Sequence, residues 1–99
     1  MYARVTTGQA VGAKLEEAIG LVQARTPWQG RPGYRGDMML VDRQAGKVIM
    51  VGLWEVQEDA QATMAEHLAS VDQAEAGGYW VARPSVDVYE VAVQHEPLG

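Results

Sequence analysis

The side chains equipped for chemistry are few, and most stand beside aromatic or apolar neighbours. His67 follows Met64 by one helical turn on an apolar stripe. A neutral imidazole, with an ordinary pKa of about 6.5, is suited to accepting a phenolic proton at neutral pH. Trp54 closes the apolar run that begins at Val48, and its indole offers an aromatic ligand a flat wall and one N–H donor. Tyr79 and Trp80 shortly precede Arg83, and Arg4 lies in the first extended stretch. An arginine in an apolar cleft is a common receptor for a phenolate or carboxylate. The candidate site therefore has His67 as base, with Trp54, Met64, Tyr79, Trp80, Arg83 and Arg4 as substrate contacts.

Each candidate also has a purely structural reading. Trp54 can pack beneath the second helix, and His67 can sit at the core's rim with a polar partner. Arg4, Arg35 and Arg83 can form surface ion pairs with the acidic second half. Met38, Met39, Met50 and Met64 read as core filler, which would also make a pocket adaptable to flat ligands.

Other chemistries are excluded more firmly. There is no cysteine, which removes disulfides, thiolate nucleophiles and thiolate-bound metals. His67 and His95 are far apart and lack a paired-ligand spacing, so no metal site is expected. Gly30, Gly33 and Gly36 follow a helix instead of leading a strand into one, so they are not a phosphate-gripping loop. Residues 1–50 carry seven Lys/Arg against four Asp/Glu, and residues 51–99 carry one against nine, giving halves of +3 and −8. Without a clustered basic stripe, nucleic acid is not an expected partner. No apolar run is long enough to span a membrane and the start lacks a signal-like segment, so a cytoplasmic protein is expected.

The elements that must position these groups follow from periodicity. Tyr2 to Thr7 reads as a strand ended by Gly8. After Gly12, Leu15, Ala18, Ile19 and Val22 recur at helical spacing until Pro27 stops the helix near Arg25-Thr26. Tyr34 to Asp42 and Val48 to Glu55 read as a hairpin joined through Gly46. Glu58 and Asp59 open a helix over roughly residues 58–75, with Ala60, Met64, His67, Leu68 and Val71 on one stripe. Tyr79 to Pro84 is a connector, Val86 to Gln94 a last strand, and Pro97 to Gly99 a frayed tail. The order β-α-β-β-α-β predicts a single α+β, ferredoxin-like domain over residues 1–99, with both helices on one side of a four-stranded antiparallel sheet. Val48 to Trp54 is apolar on both faces, so a second copy of the sheet is expected to cover the bare one in a homodimer.

Pro32-Gly33-Tyr34-Arg35-Gly36 after the first helix, Leu53-Trp54-Glu55 closing the third strand, the acidic start Glu58-Asp59, and Tyr89-Glu90-Val91 in the last strand together resemble a known group. Their order and spacing, over nearly the whole chain, are similar to those of the antibiotic-biosynthesis-monooxygenase-like dimeric α+β barrels. The resemblance implies two ferredoxin-like subunits packed sheet to sheet. It also implies either cofactor-independent oxidation of polyphenolic aromatics or haem degradation. The understood oxygenases of the group typically require a cleft asparagine, and this sequence has none. The haem-degrading members carry a tryptophan on the second helix, where Ala60 to Thr63 here has no aromatic. The leading expectation is a homodimeric monooxygenase acting without a cofactor on an electron-rich aromatic or polyketide-like compound. The alternative is a non-catalytic binding or stress-associated dimeric barrel module for a flat apolar ligand, with haem degradation ranked below both.

Overall fold

β-Branched and aromatic residues favour the extended segments, and the computed structural model, which describes residues 1–97, pairs them into one antiparallel sheet. The strands are β1 (Tyr2–Gln9), β2 (Tyr34–Asp42), β3 (Lys47–Trp54) and β4 (Ser85–Glu90). Their order is β2-β3-β1-β4, the ferredoxin-like arrangement expected from the sequence. A 3-10 turn, Gly12–Lys14, leads into α1 (Leu15–Ala24), and the second helical region comprises α2 (Gln57–Ala62) and α3 (Met64–Ala76).

Local chemistry accounts for the joints. At the β2–β3 turn the Asp42 carboxylate accepts the amides of Gln44 and Ala45 at 3.1 and 3.2 Å. Gly46, at φ 70°, then turns the chain into β3. At the other end of β1, an added Cβ on Gly8 would meet the Trp80 ring at 2.7 Å. A bare backbone leaves room for that indole, and Gly8 does not end β1: Gly8 pairs with Val48 and the strand runs on to Gln9.

Register fixes which side chains share a face. Thr6 pairs with Met50, which pairs with Met39; Arg4 pairs with Gly52, which pairs with Asp37; Tyr2 pairs with Trp54, which pairs with Tyr34. This face lies beneath the helices. It carries one core cluster of Ala10, Leu15 and Val48 and another of Trp28, Trp54 and Ala60. The Thr6–Met50–Met39 row lies between them. The opposite face presents Val5, Ile49, Val51, Met38, Leu40 and Tyr89, with Met38, Leu40 and Tyr89 exposed.

Two further boundaries differ from the sequence reading. The helix expected over residues 58–75 breaks at Thr63, whose ψ of 1° departs from helical geometry. The last strand ends at Glu90, not Gln94: Glu90 is paired with Tyr2, and the next amide, Val91, reaches the carbonyl of Met1 at 2.9 Å. Val93, beyond that point, is 73% exposed. The connector Tyr79–Pro84 is tied down by a bridge between Ala10 and Trp80 and by backbone bonds Val11 N to Tyr79 O and Val81 N to Gln9 O. Leu98 and Gly99 of the expected tail lie outside the described residues. Among the described residues, no helix is long and apolar enough to cross a membrane.

Candidate functional site

Arg4 occupies the centre of the helix-facing side of β1 and is only 3% exposed. Its Nη1 donates to the Ala60 carbonyl at 3.1 Å and to Thr63 Oγ1 at 2.9 Å. Those acceptors exist because α2 and α3 part at Thr63, leaving the last turn of α2 to face the sheet. The guanidinium also lies 5.0 Å from the Trp28 ring centroid and 5.3 Å from that of Trp54. Desolvating a guanidinium costs on the order of several kcal/mol. Each desolvated cation–π contact offsets about 2 kcal/mol. Burial pulls the Arg4 pKa down to about 10, so the group stays charged at neutral pH.

Trp54 is fully buried, edge-on to Trp28 at 5.9 Å and to Tyr34 at 5.6 Å. Its Nε1 has no hydrogen-bond partner among the described residues, an unusual state for a buried donor. That nitrogen lies over Gly52, where an added Cβ would sit 3.4 Å away.

His67 faces the sheet from α3, with Nε2 2.7 Å from Thr6 Oγ1. Burial, and after it the Arg4 charge, hold its pKa down to about 4. The ring is therefore neutral at pH 7. It either donates Nε2–H to Thr6, leaving Nδ1 as an acceptor, or accepts the threonine hydroxyl.

A cavity of ≈ 670 Å³ opens between α1, α3 and the sheet. Its walls include Trp28, Met39, Met50 and Trp80, and its polar groups include Arg4, Thr6 and His67. The arrangement suits a flat apolar body with one polar end. Two lining carboxylates are already engaged: Asp37 accepts the Tyr34 hydroxyl at 2.6 Å, and Glu66 accepts Arg31 at 2.6 Å. Burial, with the Asp37 bond second, raises Tyr34 to about 12.

Of the residues anticipated as site members, Arg4, His67, Tyr79 and Trp80 line this cavity. Trp54 and Met64 do not; Trp54 forms the buried floor beside it. Arg83 is elsewhere, ion-paired with Asp72 and 3.9 Å from Glu75 on the outside of α3. The Asp72 bond raises its pKa. Tyr79 points its hydroxyl at Glu17, 2.9 Å away, which raises its pKa. Trp28 and Thr63 were not anticipated. Trp28 stands among helix-breaking residues that mark only a loop, and Thr63 lies off the apolar stripe. Among the described residues, no group of three or more His, Asp or Glu side chains could hold a metal ion.

No family model matches the chain. It is 34% identical over 98 residues to the uncharacterized protein Rv2557 of Mycobacterium tuberculosis, a match covering 96% of this chain and 42% of the relative. The chain thus spans about two-fifths of the curated relatives it matches. A protein from Nitrosomonas europaea named "Putative antibiotic biosynthesis monooxygenase" superposes with a TM-score of 0.72 at 14% identity, over 92% of this chain and 89% of that one. The heme-degrader MhuD of Mycobacterium tuberculosis, solved with two hemes in its active site, gives 0.71 at 18% over 97% and 100%. The monooxygenase ActVA-Orf6 of Streptomyces coelicolor, solved with nanaomycin D, gives 0.67 at 19% over 98% and 92%. At these identities the likeness is one of fold.

Proposed function

We propose that this chain, whose fold is that of the antibiotic-biosynthesis-monooxygenase-like proteins, takes a flat, electron-rich aromatic into the cavity between helices and sheet and oxidises it with dioxygen, without a resident cofactor. One observation carries the reading: a ≈ 670 Å³ cavity with aromatic and methionine walls whose polar groups Arg4, Thr6 and His67 converge. The chemistry balances without an external reductant. A doubly benzylic methylene and O2 give a ketone and water; the carbon supplies four electrons, one oxygen atom enters the product and the other leaves in water.

The protein's part is to favour the substrate anion that reacts with dioxygen. His67 accepts the phenolic proton at Nδ1 while its Nε2–H is held by Thr6. A base with a pKa of about 4 facing a phenol of about 10 works only if the phenolate is stabilised as it forms, and Arg4 is placed to do so. Burial comes first in weakening His67 and the Arg4 charge second; the anion that His67 helps to create neutralises that second contribution.

The test is oxygen uptake with a hydroxylated anthrone in air. Wild type is expected to consume oxygen and His67→Ala to be slower by about 10²-fold, within the usual contribution of general base catalysis. Equal rates would remove His67 from the mechanism. The low basicity of His67 supports a second reading, in which the cavity holds a flat ligand without turnover; a copurifying ligand with no oxygen uptake would favour it. A haem role fits less well, because the Nε2 of the cavity's histidine is taken by Thr6.

The apolar outer face of the sheet supports a homodimer, two copies packing Val5, Ile49 and Val51 against their counterparts.

A further inference from the structure

We propose that the ligand of this cavity binds as an anion, a planar aromatic whose carboxylate or phenolate oxygen docks on the open side of Arg4. The inference rests on the cavity assigned above and names the class of compound it takes.

Arg4 differs from the other arginines that the structure pairs. Arg31, Arg35, Arg43 and Arg83 each meet a carboxylate. Arg4, more buried than any of them, meets only neutral oxygens, and does so through Nη1 alone. Its Nε and Nη2 make no hydrogen bond among the described residues. A buried cation normally has an opposite charge beside it. Two carboxylates share this face of the sheet: Asp37, two strands away through Gly52, about 10 Å at ordinary strand spacing and held by Tyr34, and Glu90, opposite Tyr2 on the neighbouring β4, which is exposed and forms no ion pair with Arg4 among the described residues. Glu66 is turned to Arg31. The charge that would complete Arg4 is therefore not supplied by this chain's nearby carboxylates.

The surroundings favour an anion on a ring over a small inorganic ion. The buried N–H groups of Trp54, next to Gly52, and of Trp80, which lines the cavity, are further donors without an acceptor among the described residues. Trp28 lies against Arg4, and Met39 and Met50 continue the cavity floor along the sheet. An oxyanion at Arg4 thus leaves the attached ring on an apolar surface. His67 adds no competing charge, since it is neutral at pH 7 and bonded to Thr6.

The experiment is anaerobic titration calorimetry of the intact chain at pH 7 with 2-naphthoate, naphthalene-2-carboxamide and 2-naphthol. Wild type is expected to bind the naphthoate at least tenfold more tightly than the isosteric carboxamide. Arg4→Gln is expected to abolish that preference while retaining weak binding of the neutral ring. Tighter naphthoate than naphthol assigns the carboxylate, and naphthol overtaking it as pH rises assigns the phenolate; either supports the inference. Equal wild-type affinity for naphthoate and carboxamide would overturn it without reference to any variant. So would a folded Arg4→Gln that keeps the preference. Because oxygen is absent, the result stands apart from turnover: a protein that selects naphthoate yet oxidises nothing loses the oxygenase reading and keeps this one.

Discussion

Arg4 and Thr63 meet where the second helical region breaks, the guanidinium Nη1 donating to the threonine hydroxyl oxygen at 2.9 Å. The same hydroxyl donates to the Ala60 carbonyl at 3.2 Å, so Thr63 joins the end of α2 to the charge in the sheet. Thr63→Val keeps the shape and removes both bonds. A buried charged donor left short of an acceptor costs about 1–3 kcal/mol. We expect the urea midpoint of Thr63→Val to fall accordingly, whereas Thr63→Ser, which keeps the hydroxyl, stays within about 1 kcal/mol of wild type. Matching midpoints for Thr63→Val and wild type would show that Arg4 does not depend on this acceptor.

The depressed pKa of His67 makes stability depend on pH in a definite direction. In the unfolded chain the imidazole titrates at about 6.5, and in the fold at about 4. Above the upper value both states are neutral and nothing is lost. As pH falls from about 6.5 to about 4, the unfolded state binds the proton first, and the fold loses stability until both states are protonated. The full difference corresponds to about 3 kcal/mol at 1.36 kcal/mol per pKa unit, and screening around a partly exposed ring reduces it to about 1–2 kcal/mol. His67→Gln lacks the titrating group, so its stability should fall less than that of wild type between pH 6.5 and 4 in paired urea titrations. Parallel curves would show that His67 is not depressed.

The fold was legible because its signals are local. Pro27 stops α1, Gly46 turns the hairpin, and the doubly apolar Val48–Trp54 run marks the central strand. The site was legible only in part. Arg4, His67, Tyr79 and Trp80 were chosen for their chemistry, and they line the cavity. Trp28 escaped notice because its importance comes from contact with Arg4 and Trp54, which are distant in sequence. Thr63 escaped because helical periodicity carries straight through it; the break shows only in three dimensions, where it turns the Ala60 carbonyl and the Thr63 hydroxyl to the buried Arg4. Arg83 was misleading for the converse reason. Proximity to Tyr79 and Trp80 in sequence suggested a shared cleft, but its side chain turns to the acidic face of α3.

The outer face of the sheet gives the last prediction. Val51 pairs with Val5 on one side and Met38 on the other, placing it in the middle of that face. If two copies meet there, Val51→Lys puts an unpaired ammonium into the contact, and burying such a charge costs several kcal/mol, on the order of a 10²-fold or greater loss of affinity. Analytical ultracentrifugation is expected to find wild type at twice the mass of the chain and Val51→Lys at the mass of one. Gln23→Lys, on the exposed side of α1, should remain dimeric. Circular dichroism must show that Val51→Lys keeps its helices and strands, since the chain's own core lies on the other side of the sheet. A wild type that sediments as a monomer throughout the micromolar range would leave the apolar face to some other cover and remove the homodimer from the proposal.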